Sequence, residues 1–230
     1  MMPWLFFLQE IYDYKKLSAV YSGNDIIAVF VFFLLTVAAF ILAATKYQGK
    51  SKKLYTHFLA CFFLKILGAL LFVALYTYYY GGGDTMNYYR NAKPLIAMAS
   101  YNPATYIEVI SQTKVNRALE RYPIFYQNYQ RGQEFEDWAH KKNFLVVRFA
   151  ALFGAFTMGS YLAINLCFAF MSTLGVWALY RTFTRLFPGH ENALAIPVIY
   201  FPSLWFWGSS LMKDSIVMAF LGFFTYAIFK

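Results

Sequence analysis

Charge is scarce in this sequence. Asp, Glu, Lys and Arg make up 13% of its 230 residues, where a typical soluble domain carries about 25%. Cysteine is limited to Cys61 and Cys167, both inside apolar segments. They read as small buried hydrophobes rather than as a disulfide or a metal site. His57, His140 and His190 are scattered, with no HExxH or CxxC pattern around them. Walker A, GxGxxG and GxSxG motifs are also missing, which leaves soluble nucleotide chemistry without support. No internal repeat and no soluble second domain are evident.

What is abundant is apolar and aromatic. Hydrophobic residues account for 60% of the chain and aromatic ones for 22%, with a mean hydropathy of +0.45. They come in blocks long enough to cross a bilayer. The net charge of +9 therefore reads as topology signal and headgroup contact, not as nucleic-acid binding. The expected fold is all-α: a polytopic transmembrane helical bundle forming one domain over 1–230, with a long outer loop carrying juxtamembrane helices. Membrane lipid is its first partner.

Residues 1–22 are too short and mixed to span, lack a signal peptide's basic start, and fit an interfacial amphipathic helix. The first span is 26–45. Lys46, Lys50, Lys52 and Lys53 then crowd a short loop, which the positive-inside rule puts in the cytoplasm. The N-terminus is thus expected outside. The second span, 54–80, returns outward and ends in Tyr76, Tyr78, Tyr79 and Tyr80. Lys65 lies roughly 16 Å along it from the cytoplasmic end at 1.5 Å per residue. An ionisable residue at that depth is a functional candidate; pairing with a carbonyl or acid inside the bundle is the plainer alternative.

The outer loop, 81–156, opens on Gly81-Gly82-Gly83-Asp84-Thr85 and continues through Tyr88, Tyr89 and Arg90. Helices are expected around 92–100 and 103–120, separated at Tyr101-Asn102-Pro103. An aromatic patch at 122–129, beside Arg121 and Arg131, and an acidic cluster at Glu134, Glu136 and Asp137 follow. Arginines interleaved with tyrosines suit an anionic, ring-bearing ligand; an ordinary interfacial aromatic belt is the competing account. Residues 143–156 are apolar apart from Arg148, and Thr157-Met158-Gly159-Ser160 gives a break.

Three further spans are expected at 157–180, 193–208 and 212–229, leaving the C-terminus cytoplasmic. Pro197 and Pro202 interrupt the fourth, and Lys213-Asp214-Ser215 opens the fifth. Broken helices at membrane depth are tolerated where they line a cavity or are buried in protein. The chain stops at Lys230 at the end of an apolar helix, as expected of the N-terminal part of a longer polytopic protein. On this topology Asp84, Arg148 and the Lys213-Asp214 pair all fall on the outer face.

Gly83-Asp84-Thr85 with Tyr88-Tyr89, and the later stretch from Pro202-Ser203 to Lys213-Asp214-Ser215, resemble the acidic outer loop and the helix break of the GT-C class of integral-membrane glycosyltransferases and of related uncharacterised bacterial membrane proteins. The resemblance covers most of residues 54–230. It implies transfer of a sugar from a polyprenyl-phosphate donor at the outer face of a bacterial inner membrane. Asp84 would be the general base, and Arg90, Arg148, Lys213, Asp214, Tyr88 and Tyr89 would bind substrate. The family usually carries its acid after the first span, not the second, and often a second acid beside it. That neighbour is absent here, so no cofactor is expected; a divalent metal stays open as an alternative without a second acid to support it. A transporter or flippase using Lys65, a surface-polysaccharide polymerase or ligase, and a non-enzymatic subunit packed against other membrane proteins are the competing classes.

Overall fold

The structure is a computed structural model, and it describes residues 26–47, 52–101, 103–111 and 141–229. The expected interfacial helix in 1–22, most of the basic loop, the aromatic patch at 122–129 and the acidic cluster at 134–137 lie outside the described residues. The described residues form helices joined by turns, with no strand among them. In chain order these are α1 (Ile26–Tyr47), α2 (Lys52–Ala74), α3 (Asp84–Tyr101), α4 (Pro103–Ser111), α5 (Lys141–Phe156), α6 (Tyr161–Leu186), α7 (Glu191–Ala195), α8 (Pro202–Trp207) and α9 (Lys213–Ile228).

Among the described residues, three helices are long and apolar enough to cross a membrane: Ile26–Thr45, Lys53–Tyr79 and Tyr161–Leu186. The first two match the expected spans closely. The third starts after the Thr157–Ser160 break and runs further than the expected 157–180. Its start is set locally. Met158 and Gly159 adopt φ of 50° and 77°, and the Ser160 hydroxyl accepts the Ala163 amide at 3.1 Å, a standard N-cap bond. The fourth segment, 193–208, is interrupted as its prolines led one to expect: α7, a wide π-type turn at Ile196–Tyr200 and α8 follow one another. The two prolines account for this, because neither can donate an intrahelical hydrogen bond. The expected fifth span is α9, which has 16 residues.

The chain divides into two compact units. Of the described residues, unit 1 takes Ile26–Val29 and those within Asp84–Ile164, and unit 2 those within Phe30–Gly83 and 165–229. The core of unit 2 joins Phe58, Phe62 and Ile66 of α2 to Leu166, Trp177 and Tyr180 of α6 and to Val198 and Ile199. Gly175 of α6 meets Ala219 and Gly222 of α9 backbone to backbone, leaving no room for a Cβ. Small residues are how helices approach closely where lipid supplies no hydrophobic drive. His57 binds the Tyr200 hydroxyl at 2.8 Å and the Asn192 amide oxygen at 3.2 Å, tying the start of α2 to the α7 segment. Cys61 and Cys167 are unbonded thiols.

Unit 1 is closed differently. The Tyr89 hydroxyl donates to the Gly159 carbonyl at 2.6 Å, the Tyr161 hydroxyl to Thr85 Oγ1 at 2.9 Å, and the Tyr106 hydroxyl to the Ala151 carbonyl at 3.1 Å. Ile96 fills the space above Gly154. The Tyr89–Gly159 and Ile96–Gly154 contacts fix α3 and α5 as antiparallel neighbours.

Candidate functional site

Asp84 is the first residue of α3 and is exposed. The three glycines before it have φ of 63°, 151° and 130°, a region that side chains with a Cβ avoid. At Gly83 the requirement is double, since a Cβ would lie 2.7 Å from the Tyr76 ring. The glycines therefore deliver the chain from the π-type turn that continues α2 over Leu75–Tyr79, where Tyr78, Tyr79 and the following Tyr80 are exposed, into a helix headed by an acid. An acid in the first turn also complements the helix dipole. No hydrogen bond or ion pair engages its carboxylate among the described residues.

Asn87 and Arg90 follow Asp84 at intervals of three along α3. Side chains on a helix lean back toward its N-terminus, and Arg90 does so: its Nη2 donates to the Asn87 amide oxygen, and its Nε to the Met86 carbonyl at 3.4 Å. The guanidinium is thereby aimed at the end of α3 that carries Asp84. An acid, an amide and a cation occupy the first two turns of one helix.

Tyr88 and Tyr89 are enclosed, at 3% and 1% exposure. Tyr89 packs edge-on against Tyr161 with centroids 5.0 Å apart. Their burial was readable from the helical period, because Thr85, Tyr88, Tyr89, Ala92 and Leu95 share one face and all are buried. Lys93, not singled out in the sequence, lies with its ammonium 5.0 Å from the centre of the Tyr89 ring, and burial holds its pKa below the usual lysine value. Only its position one turn from Tyr89 could have marked it.

Arg148 is half-buried on α5, its guanidinium 4.7 Å from the centre of the Phe144 ring. The antiparallel register puts it roughly 25 Å along the helix axes from Asp84, counting from the Ile96–Gly154 contact at 1.5 Å per residue. Unit 1 thus brings Arg90 toward Asp84 but not Arg148. No family model, curated protein or solved structure matches the chain.

Lys213, Asp214 and Lys65 belong to unit 2. Lys213 and Asp214 are exposed in the first turn of α9. Lys65 is buried at 1% exposure, and its ammonium donates to the Leu204 carbonyl at 2.9 Å and the Gly208 carbonyl at 2.7 Å. These carbonyls lie at the C-terminal end of α8, where a cation is favoured; the Leu204 carbonyl also accepts the Gly208 amide at 3.3 Å. Among the described residues no group of three or more His, Cys, Asp or Glu could hold a metal ion.

Proposed function

We propose that the protein is a membrane glycosyltransferase that moves a sugar from a polyprenyl-phosphate donor to an acceptor hydroxyl. The observation that carries this reading is the exposed, unengaged carboxylate of Asp84, with Arg90 folded back toward it on the same helix. Asp84 takes the proton of the acceptor hydroxyl as that oxygen attacks the anomeric carbon. The bond from that carbon to the phosphate oxygen breaks, and the lipid phosphate leaves with its charge countered by Arg90. The acceptor is glycosylated and the donor becomes a polyprenyl phosphate. No metal or nucleotide is required by these steps.

The reaction is assigned to the outer face of a bacterial inner membrane, with the N-terminus outside and the C-terminus cytoplasmic. That orientation rests on the lysines of the 46–53 loop. A transport reading would rest on Lys65, whose ammonium is already engaged by two carbonyls; the transferase reading is therefore preferred.

The test is transfer by the purified protein from polyprenyl-phosphate sugars to candidate acceptors. Asp84→Asn should reduce the rate by about a hundredfold or more, the usual contribution of a general base. Full transfer by Asp84→Asn removes the proposed base. Absence of transfer by the native protein with every donor, alongside substrate uptake in liposomes, replaces the enzyme reading with transport.

A further inference from the structure

Unit 2 contains a stretch of chain that is neither helix nor surface loop. Between α8 and α9, Gly208, Ser209, Ser210 and Leu211 are all buried. Buried backbone outside a helix must find partners for its peptide groups. Lys65 of α2 holds the Leu204 and Gly208 carbonyls. The Leu211 amide donates to the Asn165 side-chain oxygen on α6 at 2.8 Å. The Ser210 carbonyl accepts from the Ser215 hydroxyl at 2.6 Å and from the Met212 amide at 2.7 Å.

The fit around the ammonium is close. A Cβ on Gly208 would lie 2.8 Å from both Lys65 Nζ and the Leu204 carbonyl oxygen. A Cβ on Gly68, one turn along α2 from Lys65, would collide with the Trp205 carbonyl. The helix held in this way has only 6 residues, too few to persist without tertiary contacts.

One group opposes closure. The Ser210 hydroxyl is fully buried and has no hydrogen-bond partner among the described residues. A buried unsatisfied hydroxyl favours any arrangement that lets water reach it. The segment is thus held shut at its backbone while its central side chain favours opening.

We propose that residues 208–212 form a gate in unit 2, latched by the Lys65 ammonium on the Leu204 and Gly208 carbonyls. Release of the latch admits water to Ser210 and shifts Lys213 and Asp214, which directly follow the segment and are exposed. The latch is a property of this unit alone and holds whatever the substrate of the whole protein.

Cysteine labelling in membranes with a small water-soluble maleimide tests it. In a Cys61→Ala, Cys167→Ala background, Leu211→Cys reports on the gate. Ser172→Cys, buried on α6, reports on the unit as a whole. With Lys65 intact both positions should be protected. Lys65→Met should raise the labelling rate at 211 at least tenfold and far more than the rate at 172. Gly208→Ala displaces the ammonium with the lysine still present and should do the same; it decides the matter if Lys65→Met does not fold. Continued protection at 211 in the folded variants overturns the gate. So does labelling at 172 that rises in step with 211, which would make Lys65 a support of the entire unit.

Discussion

Unit 1 keeps Asp84 at its surface and closes its interior with tyrosine hydroxyls bonded to Gly159, Thr85 and Ala151. Unit 2 buries Lys65 and uses it to hold two carbonyls of a broken helix. An acid in the first turn of a helix and a base in the middle of a span both stand out in the sequence as candidate functional groups. Their surroundings separate them. A buried charge is retained where its hydrogen bonds are satisfied, and removing it leaves its partners unpaired in a medium without water. An exposed carboxylate with no internal partner contributes little to the fold, so its removal should register in chemistry instead.

The largest expected effect is at the close approach of α6 and α9. Gly222→Leu would drive a side chain into the Gly175 backbone. Overpacking of this kind costs about 1–3 kcal/mol even where side chains can yield, and backbone cannot. Loss of a monodisperse peak in size-exclusion chromatography is the expected outcome; normal recovery and melting would show that the helices can separate without harm.

Next is Lys65→Met. Hydrogen bonds to charged groups contribute about 1.5–3 kcal/mol. In a chain of this length 1 kcal/mol moves the melting temperature by about 2–4 °C, so a drop of about 5–10 °C is expected in detergent. A drop under ~2 °C would remove the contrast between the two units. Tyr89→Phe sharpens the comparison from the other side. It deletes one neutral hydrogen bond, to the Gly159 carbonyl, and should cost about 1 kcal/mol with little change in transfer rate. A large rate loss without destabilisation would instead assign the ring to substrate.

Particular residues show how far the sequence could be read. The α1 span followed from an unbroken apolar run, the α2 span from one interrupted only by Lys65 beyond His57, and the 157–160 break from a glycine and a serine. That Lys65 sits midway along the second apolar helix was readable too, but its partners were not: they lie 139 and 143 positions away, and no local pattern encodes which carbonyls a cation meets. The interruption of the 193–208 segment was readable from Pro197 and Pro202, and the structure divides it there. Tyr88 and Tyr89 looked available because tyrosines crowd that stretch, although their helical period placed them inside. Arg148 was grouped with Asp84 by membrane side alone, and antiparallel packing of α3 and α5 then separated them along the axis. Composition and period were legible. Register between distant helices was not.

The smallest expected effect on stability, and the most informative, is that of Asp84→Asn. Loss of its dipole interaction should cost at most about 1 kcal/mol, or a melting shift of about 2–4 °C. Measuring melting temperature and sugar transfer on the same preparations of the native protein and Asp84→Asn tests the account most directly. The account predicts near-native melting with transfer reduced about a hundredfold or more. A variant that transfers at the native rate, or that melts as far below the native protein as Lys65→Met does, would contradict it.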